Sequence, residues 1–335
     1  MKKYHVYGIG NALLDLDIEV TAATLERLNI DKGVMTLIDE ERHHYLLEEL
    51  DGIKHIKTCG GSVANTLFTL AQMGANTFYS CKIGNDEAGD YFYRDLVSQG
   101  IHSNLHECER NGVTGKCIVL VTPDADRTMN TYLGATSTFS KNQISESAVQ
   151  QAEYLYIEGY LVASPSACEA AIYARKLAQQ YNIKTALSLS DPNMVIYFRQ
   201  SLLDIIDGQI DVLFCNEEEA RLFTESNNIE AAIGILKSLC RSFVITLGGR
   251  GALVYNGFDI SHVLPYKTEV IDTVGAGDVF AGVFLYCITH GLSYNHAADL
   301  SNFAAAKVVA KFGSRLSQEE MFEVTAKLQE QREYA

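Results

Sequence analysis

Apolar and polar positions along the chain sort into short continuous runs and longer helical stripes. "YHVYGIG" at 4–10 is an apolar run closed by glycines, which predicts a strand entering a turn. Further short strands are expected at 16–20 and 34–38, and a charged helix at 40–50. After two glycines, Ser62 stands where a helix cap would, and Val63, Leu67, Leu70 and Ala71 follow the 3.6-residue period until Gly74. "NTFYSCKIG" predicts a strand, and 87–98 a helix. "GKCIVLVTPDADRTMNTYLG" reads as two β-runs across a polar turn at 122–127, an antiparallel hairpin.

From there a regular order follows. "EYLYIEG", a helix at 164–181, "KTALSLS", a helix at 195–206, "DVLFCNE", helices from 217 and at 229–238, and "SFVITLGG" alternate strand with helix. Apolar strands spaced by helices predict a mostly parallel sheet covered on both faces. "GALVYN" and "ISHVLPY" add antiparallel strands, and three helices at 278–290, 293–311 and 317–330 close the chain. The β-rich patches at 12–38 and 114–134 would converge into a small sheet projecting from an α/β body formed by 1–11, 39–113 and 135–335.

Composition narrows the function classes. With 335 residues, 47% hydrophobic and 21% charged, the chain can bury a large core, and disorder, collagen and coiled-coil rods are excluded. The net charge of −15 opposes nucleic acid over most of the surface, and no Lys/Arg-dense face accompanies the aromatics. The apolar stretch Val279–Ile288 is about ten residues where a membrane span needs about 20. Eight cysteines without CxxC pairs read as free thiols, and the acidic residues that soon follow the start argue against a secretory leader. A cytoplasmic protein acting on a small molecule, without nucleic acid or membrane, is the expectation.

Candidate chemistry gathers at helix starts. In "EVIDTVGAGDVFAGVF", Gly275, Ala276 and Gly277 precede Asp278 where an apolar helix begins. Unpaired N–H groups there suit a phosphate oxygen, glycines let it approach, and Asp278 would stand beside the transferred group. A tight turn with an ordinary capping acid would show the same residues. Gly61, Ser62 and Asn65 in "CGGSVANT" suit sugar hydroxyls, or a plain capped turn, and Asn65 offers both a donor and an acceptor. "GIGNALLDLD" lacks the third glycine of a dinucleotide fingerprint because Leu13 stands there. It leaves Asn11 and Asp15 beyond the first strand's carboxyl end, where open α/β sheets bind ligands. Asn216 and Glu219 share a helical face suited to waters around a divalent ion, or to capping alone. Thr246, Gly248 and Gly251 form either a glycine turn or a phosphate- and ribose-facing loop.

Taken in order, "GGSVAN" at 60–65, "NEEE" at 216–219, "TLGGRGA" at 246–252 and "DTVGAGD" at 272–278 resemble the ribokinase-like, PfkB-type carbohydrate and nucleoside kinase family, and within it adenosine-kinase-like members. The resemblance implies a three-layer α/β/α sandwich with a small β-sheet lid. It implies transfer of the ATP γ-phosphoryl group to a primary hydroxyl, with Mg²⁺. By the same resemblance Asp278 is the base, and Gly275, Ala276 and Gly277 the anion hole. Asn216 and Glu219 arrange the magnesium through water. Thr246, Gly248, Gly251 and Asn302 face the nucleotide, and Asp272 and Thr273 mark a monovalent-cation (K⁺) loop. Asn11, Asp15, Gly61, Asn65 and Arg127 hold the acceptor; the lid offers Tyr132 and Phe139, but the sequence assigns no aromatic to stack on an acceptor base. The three-residue gap between Asn11 and Asp15 favours a nucleoside, adenosine going to AMP. A sugar kinase for ribose, fructose or 2-keto-3-deoxygluconate and a non-catalytic nucleoside- or sugar-binding regulatory protein are the alternatives. The chain would be a monomer or a homodimer paired through the lid.

Overall fold

The computed structural model describes residues 2–333 except 54, 125, 126, 208 and 209, so part of the turn expected at 122–127 lies outside the described residues. Among the described residues the larger sheet has nine strands. In spatial order these are Ile260–Val263, Ala252–Tyr255, Cys240–Thr246, Ile210–Asn216, Lys184–Ser188, Ala152–Glu158, Tyr4–Ile9, Thr77–Ser80 and His102–Ser103. The first two pairings in this order are antiparallel, and all the others are parallel.

Strand alternation builds two cores from one sheet. Val212 and Phe214 join Tyr156 and Val244 on one face, whereas Leu213 and Cys215 join Ile157 and Ile245 on the other. Both sets are buried, which is why these strands read as unbroken apolar runs. Helices Ser62–Gln72, Ala276–Thr289 and Tyr294–Val308 cover the first face; Pro165–Gln180, Pro192–Ile206 and Ile229–Leu239 cover the second. This is a three-layer α/β/α body, as the alternation predicts.

A second sheet orders Met35–Leu37, Arg127–Tyr132, Gly115–Val121, Leu13–Glu19 and His55–Gly60. Its last strand corrects the division made from the sequence, which left 55–60 in the body. "HIKTCG" is an edge strand exposed over its first half, so it carries little apolar signal. The helix expected from 195 begins at Pro192, because the Asp191 carboxylate caps it by accepting from the Asn193 N–H. Short helices at Ala22–Arg27 and Glu146–Gln150 also went unread.

One crossing positions the chemistry. A Cβ at Gly282 would lie 2.8 Å from the Thr66 carbonyl oxygen and 2.8 Å from the Thr69 Cβ. Only glycine lets helices Ser62–Gln72 and Ala276–Thr289 approach this closely. Their N-terminal turns therefore meet at one point above the sheet.

Candidate active site

A cleft of about 470 Å³ opens at that point. Asn11, Glu158, Ser188, Asn216 and Thr246 enter it from the carboxyl ends of successive parallel strands or just beyond them, the crevice where open α/β sheets bind ligands. The second sheet supplies the opposite wall. Alternation along Leu13–Glu19 turns Leu13 and Asp15 to the cleft and buries Leu14, Leu16 and Ile18 behind it. Met35, Leu37, Val119, Met129 and Leu133 extend this wall, which is apolar apart from Asp15 and Thr131.

Asp278 lies on the cleft at the start of its helix. The Ser62 hydroxyl donates to Oδ1 at 2.6 Å and the Asn65 amide to Oδ2 at 3.2 Å. Burial raises its pKa above the usual carboxylate range, while those two donors and the Arg315 charge pull it back. Gly61 holds the N-cap position, so Ser62 does not cap its helix but serves Asp278. Gly275 is left-handed at φ 77°, and a Cβ there would lie 2.5 Å from the Ser314 carbonyl oxygen. Gly275 and Gly277 line the cleft, and the N–H groups of Gly277 and Asp278 fall in a first turn that has no acceptor inside its own helix. Ala276 departs from expectation: its N–H donates to the Thr273 carbonyl at 3.3 Å.

Asn11, Asp15, Gly61 and Asn65 all line the cleft. Burial pushes Asp15 up to about 7, with the Asp17 charge adding to the rise. Asn65 does not offer both of its groups. Its oxygen accepts from the Arg315 Nε at 3.0 Å, so its N–H₂ end is the one presented to Asp278. Glu158 went unread in the sequence. It is fully buried, accepts from the Asn11 and Val63 N–H groups at 2.6 and 3.0 Å, and is pushed up to about 8 by burial. Its signal was a lone acid ending an apolar parallel strand, at the edge where ligands bind.

On the opposite side, Asn216 and Glu219 close on each other. The Asn216 oxygen accepts from the Glu219 N–H at 2.8 Å, and Glu219 accepts from the Asn216 N–H at 2.9 Å and its side-chain amide at 2.7 Å. Burial, with Asp191 and Glu218 nearby, brings Glu219 up to about 7. An oxygen set with excess negative charge fits a hard divalent cation. Because both side chains are already engaged with one another, an intervening water shell is the fitting mode. Thr246 lines the cleft; Gly248, Gly251 and Asn302 do not. Gly248 and Gly251 shape a tight turn, with the Gly251 N–H on the Gly248 carbonyl. The Asn302 amide donates to the carbonyls of Val263 and Leu264, tying a helix to the sheet edge.

Arg127 is also placed differently from the acceptor role expected of it. It reaches from the second sheet to Asp17 at 3.0 Å and to the buried Asp272 at 2.5 Å. Asp272 accepts in addition from the Val274 and Gly313 N–H groups. The Asp272 carboxylate is thus held by a guanidinium and two backbone N–H groups. Thr273 lines the cleft beside it. Tyr132 packs on His43 and Phe139 is buried in the body, so neither aromatic faces the cleft.

Known proteins share this fold. The chain is similar to a probable sugar kinase from Rhizobium etli, at 31% identity and TM-score 0.91, covering 98% of this chain and 100% of that one. It is similar to the adenosine kinase from Sinorhizobium meliloti at 32% identity and TM-score 0.88, covering 98% and 99%. Adenosine kinase 1 of Arabidopsis thaliana is 26% identical over 333 residues, 91% of this chain and 94% of that protein. No helix among the described residues is long and apolar enough to cross a membrane. The pfkB family carbohydrate kinase profile matches residues 32–321, and with this fold and cleft the chain belongs to that family, as an ATP-dependent nucleoside or sugar kinase.

Proposed function

We propose that the acceptor is a purine nucleoside, adenosine, phosphorylated at its 5′-hydroxyl to give AMP. The observation that carries this reading is the apolar wall of Leu13, Met35, Leu37, Val119, Met129 and Leu133 facing Asp15 and Asn65. A nucleoside puts its ribose hydroxyls on the polar residues and its flat base on that wall. A free sugar would press hydroxyls against methyl and thioether groups, each losing water without a partner. Arg127, the cation an acidic sugar would need, is already engaged by Asp17 and Asp272.

In this reading Asp15, Asn65 and the Gly61 backbone hold the ribose, and the second sheet closes over it as a lid. Asp278 takes the 5′-hydroxyl proton as that oxygen bonds to the γ-phosphorus and the bond to the β–γ bridging oxygen breaks. Ser62 and Asn65 keep Asp278 aimed and partly charged despite its burial. The first-turn amides of Gly277 and Asp278, reached past the Gly275 N-cap, stabilise charge on the transferred group without reorganising. Mg²⁺ held through water by Asn216 and Glu219 would neutralise the phosphate oxygens. Exclusion of water by the apolar wall guards against hydrolysis of the donor.

Competition between adenosine and ribose with ATP and Mg²⁺ tests the acceptor, with product position read by phosphorus NMR. Base burial at roughly 25 cal/mol per Å² holds the 5′-oxygen in line, so kcat/KM for adenosine should exceed ribose by about tenfold or more. Preferential phosphorylation of ribose, fructose or 2-keto-3-deoxygluconate would overturn the nucleoside assignment and leave the kinase fold standing.

A further inference from the structure

Arg315 lies in the turn between helices Tyr294–Val308 and Gln318–Glu333, 250 residues from the Asn65 it contacts. Its Nε donates to Asn65 Oδ1 at 3.0 Å, its Nη1 donates to Asp95 Oδ2 at 2.8 Å, and its guanidinium stacks 4.3 Å above the Phe68 ring. Three contacts on different faces leave the group one orientation. We infer that Arg315 is a positioning residue: it sets which end of the Asn65 amide faces Asp278, and so which hydrogen bond the reacting carboxylate receives. The inference rests on the reading of Asp278 as the base.

The two ends of an Asn side chain are nearly the same size, so partners alone decide its orientation. Arg315 has only donors, and it therefore captures the oxygen. The N–H₂ end must then point to Asp278, where it donates at 3.2 Å. Turned the other way, Asn65 would set an oxygen against the Asp278 carboxylate and its N–H₂ against a cation. That flip loses two hydrogen bonds and adds two repulsions.

Charge acts in the same direction. Asp15 from the second sheet and Glu158, Tyr156 and Tyr160 from the strand Ala152–Glu158 and the turn after it all face Asp278. At Asp278 the opposing cation is Arg315, which favours its charged form; at Asp15 Arg315 acts together with Arg127. A lysine would keep that charge, but its ammonium has no planar fork to join Asn65 to Asp95 while lying on Phe68.

The test compares R315A, R315K and D95N with D278N, using whichever acceptor the enzyme phosphorylates. R315A should lower kcat about tenfold or more, the worth of a hydrogen bond to a charged group, with KM for ATP within about twofold. Its acidic pH–rate limb should move to higher pH, because Asp278 loses a donor and a nearby cation. R315K should keep the limb near its original position yet still lose kcat, separating the charge from the fork. D95N should lower kcat in the same direction by a smaller factor. Should R315A fail to fold, R315K and D95N carry the same kcat and KM comparison. Unchanged kcat in R315K and D95N, or a loss of ATP affinity as large as the loss of kcat, would overturn the inference. D278N separates the two readings: if it retains turnover the base assignment fails, whereas an inactive D278N beside fully active Arg315 variants sinks only the role of Arg315.

Discussion

Two helices begin at the cleft with an acid at their third residue: Asp278 in Ala276–Thr289 and Glu219 in Glu217–Phe223. Residue position and charge match, and burial raises the pKa of both. Their neighbours differ. Asn216 at one N-cap has a side chain that answers Glu219, and the pair closes into a capping box that satisfies the helix start. Gly275 at the other N-cap has no side chain, and its left-handed backbone turns the chain away from such a box. Asp278 therefore reaches out to Ser62 and Asn65 on another helix, and its own first-turn amides stay open to a ligand. One acid is engaged by its own helix start, and the other is held by a neighbouring helix. A single N-cap residue makes that difference.

The largest effect should come from removing the two charges in turn. Asp278→Asn keeps the shape and hydrogen-bonding size but cannot take a proton, so kcat/KM should fall about 10²–10⁴-fold, the usual worth of a general base. Glu219→Gln keeps an oxygen for the Asn216 N–H and should act mainly through the apparent Mg²⁺ requirement. Measured side by side, the two variants should separate in kcat at saturating Mg²⁺. A loss below about tenfold in Asp278→Asn would sink its role as base.

A smaller effect is expected from Gly275→Ala. The left-handed conformation costs about 1 kcal/mol for an L-residue, and the new Cβ would press on the Ser314 backbone. The turn must shift to relieve it, and a displacement near 1 Å at a reacting centre can cost about 10²-fold in rate. Steady-state kinetics should show a kcat loss of that order with the thermal midpoint lowered by only a few degrees. Unchanged kcat would mean that the first-turn amides take no part.

These contrasts explain what could be read along the chain. Strand and helix order followed from local periodicity, because the central parallel strands of the larger sheet are apolar on both faces. Asp278, Asn65 and Asp15 sat in recognisable local patterns of glycine and helix start. Ser62 was visible but misassigned, since a serine after two glycines looks like a cap until the opposing helix is in place. Arg315 carried no local signal at all, because both its polar partners come from distant helices, Ser62–Gln72 and Glu87–Ser98. Asn302 and Arg127 were named from a resemblance, and here their side chains complete contacts within the body and between the sheets. Residue type is local information; the partner that decides its role is not.

The smallest effect probes the closed helix start. Asn216→Ala removes the side-chain oxygen that caps the Glu219 N–H and the amide that donates to its carboxylate. Loss of an N-cap costs about 1 kcal/mol, and that part should be present at every pH. A second part depends on pH. Glu219 has a folded pKa near 7 against 4.5 for the ordinary group, because burial disfavours its charge. A raised folded pKa favours the fold below the unfolded value, and that advantage is lost as pH rises through the folded one. Without the Asn216 amide the charged form is disfavoured further, so the folded pKa rises again and the loss extends to higher pH. Thermal melts should therefore show Asn216→Ala lowered modestly at pH 5, where Glu219 holds its proton in the fold in both proteins, and lowered more at pH 8. In an Asn216→Ala/Glu219→Gln double variant the gap between the two pH values should shrink. A difference between single variant and parent that stays constant from pH 5 to pH 8 would show that Asn216 caps the helix without solvating the acid.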